Sequence, residues 1–402
     1  MENGKTKTQN GGGTKASPIQ ISREKLNLVL QKLNQLVIGH EEVNKMLLVS
    51  LIAHEHAVMI SPPGCAKSYT IEMLSKLINA KFYKYLLTRF TTDIEVLGVY
   101  NVKKIVEEGK LVREWTSIKD AEIVFLDEIF KANSAILNSL LSLLQERILY
   151  DPFSGTAVKT NVISVFGASN EIPSEEELQA LYDRFAVRIF IKYLDDDTAI
   201  LRALEARWLN SNGVKPVASI EDVKTLHNFA IQLIKSELVG LGKFINIYHV
   251  NAIPFIKSLR AKGIVVSDRT IIEKLPKLLA SYCALFGVTL DNLINGILDI
   301  LPYLGKDANE SEAIKKAVFE DLGEVAQLHE KLNKAKIAIK SANLSEAEKL
   351  LHEIINFDMN VIAKKPWLKS RVETIIAEAK ATLDKVIQIK KTLEEMAGNT
   401  GE

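Results

Sequence analysis

The segment from Ala57 to Ser68 constrains this chain more than any other. Four apolar residues, Ala57-Val58-Met59-Ile60, run into Ser61-Pro62-Pro63-Gly64-Cys65-Ala66-Lys67-Ser68, and a helical pattern of Ile71, Leu74, Leu77 and Ile78 follows. Apolar strand, tight turn, Lys-Ser and helix, in that order, describe a phosphate-binding loop. The turn points backbone N–H groups inward and the helix N-terminus adds partial positive charge, so both favour a bound polyphosphate. Lys67 is placed to reach the outer phosphates, and Ser68 to hold Mg²⁺. Pro63, Gly64, Cys65, Ala66 and Tyr69 complete the candidate loop. The strict motif has glycine where this chain has Ser61 and Ala66. Alanine before the lysine fits if its φ is negative, because only positive φ strongly demands glycine.

Two further strands extend the pattern. Ile123-Val124-Phe125-Leu126 ends in Asp127-Glu128. A continuous apolar run reads as a buried parallel strand. Acids at its C-terminal end sit where open α/β sheets bind ligands. Asp127 is assigned to Mg²⁺, directly or through water, and Glu128 to the attacking water. A surface pair capping the next helix is the alternative, and it weakens once the pair ends an apolar strand downstream of a phosphate loop. Val162–Ala168 is a third strand, ending in Ser169-Asn170-Glu171. Alone, Asn170 is an ordinary turn residue. On a strand between the other two it becomes a polar contact for the γ-phosphate or the water. Arg184, before the alternating segment Val187–Ile191, is able to reach across a subunit boundary as an arginine finger, a role worth factors of about 10³–10⁵. A surface salt bridge is the default for any single arginine.

These motifs resemble the MoxR family of AAA+ ATPases, nearest its RavA-like members. The residues that carry the resemblance are Ser61–Ser68, Thr88–Thr92, Ala121–Asn133, Ala135–Arg147, Ala168–Pro173, Leu181–Phe185 and Val266–Arg269. They span roughly residues 20–305. The resemblance implies that the segment Val37-Ile38-Gly39-His40 lines an adenine pocket. It implies that Arg269 is a second sensor contacting the γ-phosphate from a lid domain. It also implies that Asp93–Trp115 and Glu146–Lys159 are inserts facing a pore or client. ATP or ADP and Mg²⁺ are the implied cofactors. A homo-hexamer or other ring, a partner with a von Willebrand factor A domain, and a protein client for chaperone-like remodelling are the implied partners.

Alternating strands and helices over residues 37–195 predict a mostly parallel sheet covered on both faces. The fold class expected is therefore α/β: an AAA+ P-loop core, an all-α lid and a C-terminal helical bundle or hairpin. The expected divisions are a flexible tail at 1–20, the nucleotide-binding core at 21–195, the lid at 196–304 and a helical domain at 305–402. Lys81–Leu87 reads as the second strand. Gly98–Trp115 reads as short alternating pieces around a hairpin turn at Glu107-Glu108-Gly109-Lys110. In Ser134–Glu146, the stripe of Ile136, Leu137, Leu140, Leu141 and Leu144 reads as core packing against the sheet. From Ala199 to about residue 304 the pattern is helical only. Beyond it, Val372, Ile376, Ala379, Leu383, Val386 and Leu393 mark one buried stripe. For that last region, a client or partner platform and an oligomer-stabilising appendage stand level.

The chain has 402 residues, enough for two or three domains with real cores. Lys plus Arg number 51 and Asp plus Glu 50, for a formal net charge of +1, which argues against a strongly basic nucleic-acid surface. No apolar run approaches about 18 residues, so no membrane insertion is expected. The N-terminus lacks the apolar core of a signal peptide. Two cysteines, Cys65 and Cys283, imply no disulfide framework and suit a reducing cytoplasm. A nucleic-acid motor and a non-catalytic nucleotide-gated scaffold are the competing functions.

Overall fold

The computed structural model describes residues 17–398 except 152, 209–212, 239–241, 322, 341–342 and 364–365. The expected tail therefore lies outside the described residues as far as residue 16. Its last residues already belong to helix α1 (Pro18–Leu36), where the Ser17 side chain accepts from the Gln20 N–H and Pro18 sits in the first turn. Leu26, Val29 and Leu33 form the buried stripe of α1. The chain divides into two compact units, Met1–Val239 with Ser267–Leu293, and Gly240–Val266 with Ile294–Glu402.

The first unit continues through α2 (Glu41–Ile52), β1 (Ala57–Ile60), α3 (Lys67–Leu77), β2 (Phe82–Leu86), α4 (Asp93–Leu97), α5 (Val102–Glu108) and β3 (Ile123–Asp127). Then come α6 (Ser134–Glu146), β4 (Ile148–Tyr150), β5 (Ala157–Lys159), β6 (Ser164–Ser169), α7 (Glu176–Tyr182), β7 (Val187–Phe190), α8 (Asp197–Trp208) and α9 (Ile220–Lys235). Five strands form one parallel sheet in the order β2-β3-β6-β1-β7. The three central strands carry apolar residues on both faces because both faces are covered. β1 and β6 are buried throughout, and β3 is buried up to its last residue, Asp127. Thus β6, which ends beside Asn170, lies between the phosphate-loop strand and the acid strand, as the sequence predicts. The α6 stripe is core: Ile136, Leu137, Leu140 and Leu144 are buried against the sheet residues, with Leu141 packed at the margin.

The segment Gly98–Trp115 departs from the hairpin expectation. Asn101 caps α5 by accepting from the Lys104 N–H, and Gly109 ends it with φ +65°. Val-Lys-Lys-Ile-Val-Glu-Glu satisfies helical spacing as well as alternation, and two good caps decide the outcome. Only the pair Tyr100–Arg113 bridges in antiparallel fashion. The second insert is a true hairpin, β4 against β5.

Arg113 joins the two inserts. Its side chain is fully buried and donates to Asp93 Oδ2 at 2.7 Å, Asp151 Oδ1 at 3.1 Å and the Gly98 carbonyl at 2.8 Å. It also contacts the Tyr100 hydroxyl, which donates to Asp151 at 2.7 Å. Burial raises the Asp151 pKa, but hydrogen bonds from Ser154, Tyr100 and Arg113 outweigh it and hold the carboxyl at about 2.

The second unit opens with α10 (Phe244–Ala261), which contains Pro254. The extended pieces Glu237–Leu238 and Gly242–Lys243 interrupt the purely helical pattern expected here. Back in the first unit, a π-helical turn at Thr270–Lys274 leads into α11 (Leu275–Phe286), which packs against α2 and α9. Ser267 caps this turn, accepting from the Thr270 N–H at 3.2 Å. α12 (Leu290–Ile300) and α13 (Ala308–Asp321) follow, then α14 (Gly323–Lys340), α15 (Leu344–Ile355) and α16 (Pro366–Gly398). The last three pack mutually as a three-helix bundle. Leu368, Val372, Ile375, Ala379 and Val386 bury one face of α16. Ile375 takes the core position expected of Ile376, which is half-buried, because the 3–4 spacing of the stripe runs through 372, 375 and 379. The side chain of Leu393 lies outside the described residues.

Candidate functional site

The phosphate loop leaves the sheet at its centre. Ile60 pairs with Ser169 on β6 and with Phe190 on β7, and the Ser61 N–H continues the ladder to the Ser169 carbonyl at 3.1 Å. Ser61 is not among the residues with positive φ, so the first glycine of the strict motif is not required here. Gly64 is required, with φ +86° and open space where a Cβ would stand.

Ala66 corrects the expectation of negative φ: its φ is +56°. The left-handed turn costs an alanine about 1–2 kcal/mol. Reversing the backbone hand here curls successive N–H groups around one point, the concavity that binds anions. Helix α3 begins at the next residue.

Five side chains from three adjacent strand ends converge above this loop. Lys67 Nζ is buried and donates to the carbonyls of Ser61 and Ser169 at 3.0 and 3.3 Å and to Asn170 Oδ1 at 3.0 Å. Burial pushes its pKa below the ordinary lysine value, against the pull of Asp127 and Glu128. Ser68 Oγ donates to Asp127 Oδ2 at 3.0 Å. Asn170 Nδ2 donates to Glu128 Oε1 at 2.7 Å, and Lys131 lies 3.3 Å from Glu128 Oε2. Glu128 has φ +53°, which turns its carboxylate away from the strand line and toward Asn170. A cavity of about 420 Å³ is lined by Pro63 to Tyr69, Asp127, Glu128 and Asn170.

The loop also walls a second cavity of about 220 Å³. Val37, Ile38, Gly64, Cys65, Ala66 and Tyr69 line it, joining the segment expected to hold adenine to the phosphate loop. Gly39 stands behind that wall: with φ +79°, a Cβ there would lie 2.3 Å from Leu194 Cδ2. His40, the last residue of the expected segment, lines it too, and the remaining wall is Leu36, Lys192, Tyr193, Leu194, Ala203 and Arg207, which the sequence did not single out. Tyr193 donates to the Pro63 carbonyl at 3.0 Å, and Arg207 lies 5.7 Å over the Tyr69 ring. No motif marks these residues; the one available signal was the position of residues 192–194 directly after β7 of the central sheet.

Arg184 and Arg269 line neither cavity. Arg184 is half-buried at the end of α7 and folds its guanidinium back onto the Ala180 carbonyl. Arg269 is exposed and pairs with Glu273 at 3.1 Å.

The donors present fit a Mg²⁺–nucleotide. Lys67 is a buried cation hydrogen-bonded only to neutral acceptors, which leaves its charge for an anion. Ser68 and Asp127 offer the hard oxygens that Mg²⁺ takes in small number alongside phosphate oxygens. Among the described residues, no group of three or more His, Cys, Asp or Glu is arranged to hold a metal. Cys65 and Cys283 are free and buried. Among the described residues, no helix is long and apolar enough to cross a membrane.

Sheet order, loop geometry and the added helices define an AAA+ nucleotide-binding fold. Residues 24–233 match the MoxR domain of the MoxR-vWA-beta-propeller ternary systems. The chain therefore belongs to the MoxR family. It is 35% identical over 249 residues to the uncharacterized protein MJ0812 of Methanocaldococcus jannaschii, covering 61% of this chain and 62% of that one. It is 28% identical over 391 residues to MJ0079 of the same organism, covering 94% and 95%. The crystal structure of an ATPase candidate from Cytophaga hutchinsonii superposes with a TM-score of 0.57 at 20% identity, over 75% of this chain and 96% of that one. That likeness speaks to the fold alone.

Proposed function

We propose that this chain is the ATP-hydrolysing subunit of a ring, coupled to chaperone-like remodelling or maturation of a protein client in the cytoplasm. One observation carries the reading. Lys67, Asn170 and Glu128 form a continuous hydrogen-bonded chain beside the Ser68–Asp127 pair, above an apolar cavity of adenine size. Lys67 and the loop N–H groups hold the β- and γ-phosphates. Ser68 and Asp127 would hold Mg²⁺, which would supply charge that neutralises the phosphates. Glu128 accepts a proton from the attacking water and Asn170 fixes that carboxylate. Such a site works by positioning and by stabilising developing charge. Asn170 contacts both Lys67 and Glu128, so a phosphate drawing on Lys67 also alters the hold on Glu128.

Two groups complete the site under this reading. Arg184 of a neighbouring subunit supplies positive charge at the γ-phosphate. Arg269, on the lid at 196–304, reports nucleotide state. Glu128 also lines a cavity of about 600 Å³ on its other side, an open approach for a neighbour's arginine. A partner with a von Willebrand factor A domain is supported by the name of the matching family. Membership of the RavA-like subgroup rests on the motifs alone.

The test is ATP turnover with Mg²⁺ and with the metal chelated, for the native protein and for Glu128→Gln. We expect turnover that depends on Mg²⁺. In Glu128→Gln it falls by about 10²–10⁴-fold, the worth of a general base, while nucleotide binding is kept. Near-normal turnover in the variant would overturn the assignment.

A further inference from the structure

Lys274 is a buried amine that the catalytic reading leaves without a task. Its side chain ends at the turn that carries Arg184. Nζ donates to the carbonyl oxygens of Asp183 at 3.1 Å and of Arg184 at 3.2 Å. Lys274 closes the π-helical turn that starts just after Arg269, five residues earlier. π-Turns inside helices gather at functional sites, because the extra residue redirects side chains. Burying an ammonium costs free energy that an apolar side chain of similar length would avoid. Here burial, and then the positive charges of Arg188 and Arg269, push its pKa down to about 8, against the pull of Glu55 and Asp183. An amine kept under those conditions holds something that only a donor can hold.

What it holds is the backbone at the end of α7. The Arg184 side chain lies folded onto its own helix, and its Nε is buried without a hydrogen-bond partner. That arrangement leaves the guanidinium incompletely satisfied and free to improve its bonding by swinging outward. The main chain beneath it stays pinned by Lys274. On the ring-ATPase reading above, we propose that Lys274 is a positioning residue for the trans-acting arginine. It fixes the base from which Arg184 reaches the neighbouring site, and ties that base to the helical turn bearing Arg269 of the same subunit.

The proposal makes a directional claim, since the defect of a Lys274 variant must follow the subunit that donates the arginine. Rings are co-expressed from two chains. The donor is Glu128→Gln, which cannot hydrolyse but keeps Arg184. The acceptor is Arg184→Ala, which keeps Glu128. The parent pair restores ATP turnover that neither chain shows alone. Adding Lys274→Met to the donor lowers the restored turnover by about 10²-fold, the cost of misplacing a reacting group by about 1 Å. Adding the same substitution to the acceptor leaves restored turnover and nucleotide affinity unchanged, which also shows that the variant folds. Lys274→Arg in the donor recovers part of the loss. Equal losses on both sides would show a merely structural lysine and overturn the proposal, as would no loss on the donor side. A parent pair that fails to restore turnover would overturn the trans-acting reading itself.

Discussion

Replacing Arg113 by methionine should destabilise the first unit by about 3 kcal/mol, the low end of the cost of breaking a buried ion pair. The low end applies because Asp151 would keep part of its shell. Tyr100 and Ser154 still donate to it, as does the Phe153 N–H. What it loses is the one counter-charge paired with it among the described residues, in a place where its side chain is fully buried. Methionine keeps the length and apolar body of the arginine, so the loss is one of charge pairing rather than volume. At about 2–4 °C per kcal/mol for a domain of this size, melting should fall by about 6–12 °C. The assay is thermal unfolding at pH 7, repeated with Asp151→Asn added. With neither charge buried, the double variant should regain most of the loss.

The pH dependence has a definite sign. A carboxyl held at about 2, against an ordinary 3.8, contributes stability that is full above about pH 4 and disappears as pH falls through 2. That contribution is of order 2 kcal/mol. In Arg113→Met the carboxyl titrates higher, so the deficit against the native protein should shrink below pH 5. A loss under about 1 kcal/mol at pH 7, or one that Asp151→Asn does not relieve, would refute the reasoning.

Lys67→Ala should weaken nucleotide binding by about 10–100-fold, the worth of one charge-assisted hydrogen bond, as read by titration calorimetry. Gly39→Ala should weaken binding of the base through Leu194, with a backbone cost of about 1–2 kcal/mol, while turnover at saturating ATP is kept. A selective loss of phosphate contacts instead would move the base pocket elsewhere. Ala66→Gly should leave binding intact and change melting little, because relief of left-handed strain is offset by the greater unfolded-state freedom of glycine, about 0.4–1 kcal/mol.

The phosphate site was legible because its parts are local. A strand, a turn and a Lys-Ser pair announce themselves within a dozen residues, and Asp127 and Asn170 each end a recognisable apolar strand. Parallel-sheet topology then brings those strand ends together. The base pocket was legible only on one side, at Val37, Ile38 and His40. Its far wall comes from residues 192–194 and from α8, where a hydrogen bond from Tyr193 and the contact of Arg207 with a ring carry no spacing signal. The conformation of Ala66 was misjudged because residue type biases φ without fixing it, and the need to form an anion-binding turn outweighs a small strain. α5 was misjudged because seven residues are too few for periodicity to separate helix from strand. The burial of Arg113 was invisible, since its four partners lie 13, 15, 20 and 38 residues away.

The central claim is that the catalytic site forms between subunits, and turnover measured across protein concentration tests it most directly. ATP hydrolysis per subunit, with Mg²⁺ and no added partner, should rise with concentration in step with assembly followed by light scattering, and then level off. A rate per subunit that stays constant while the scattering shows passage from monomer to assembly would contradict it.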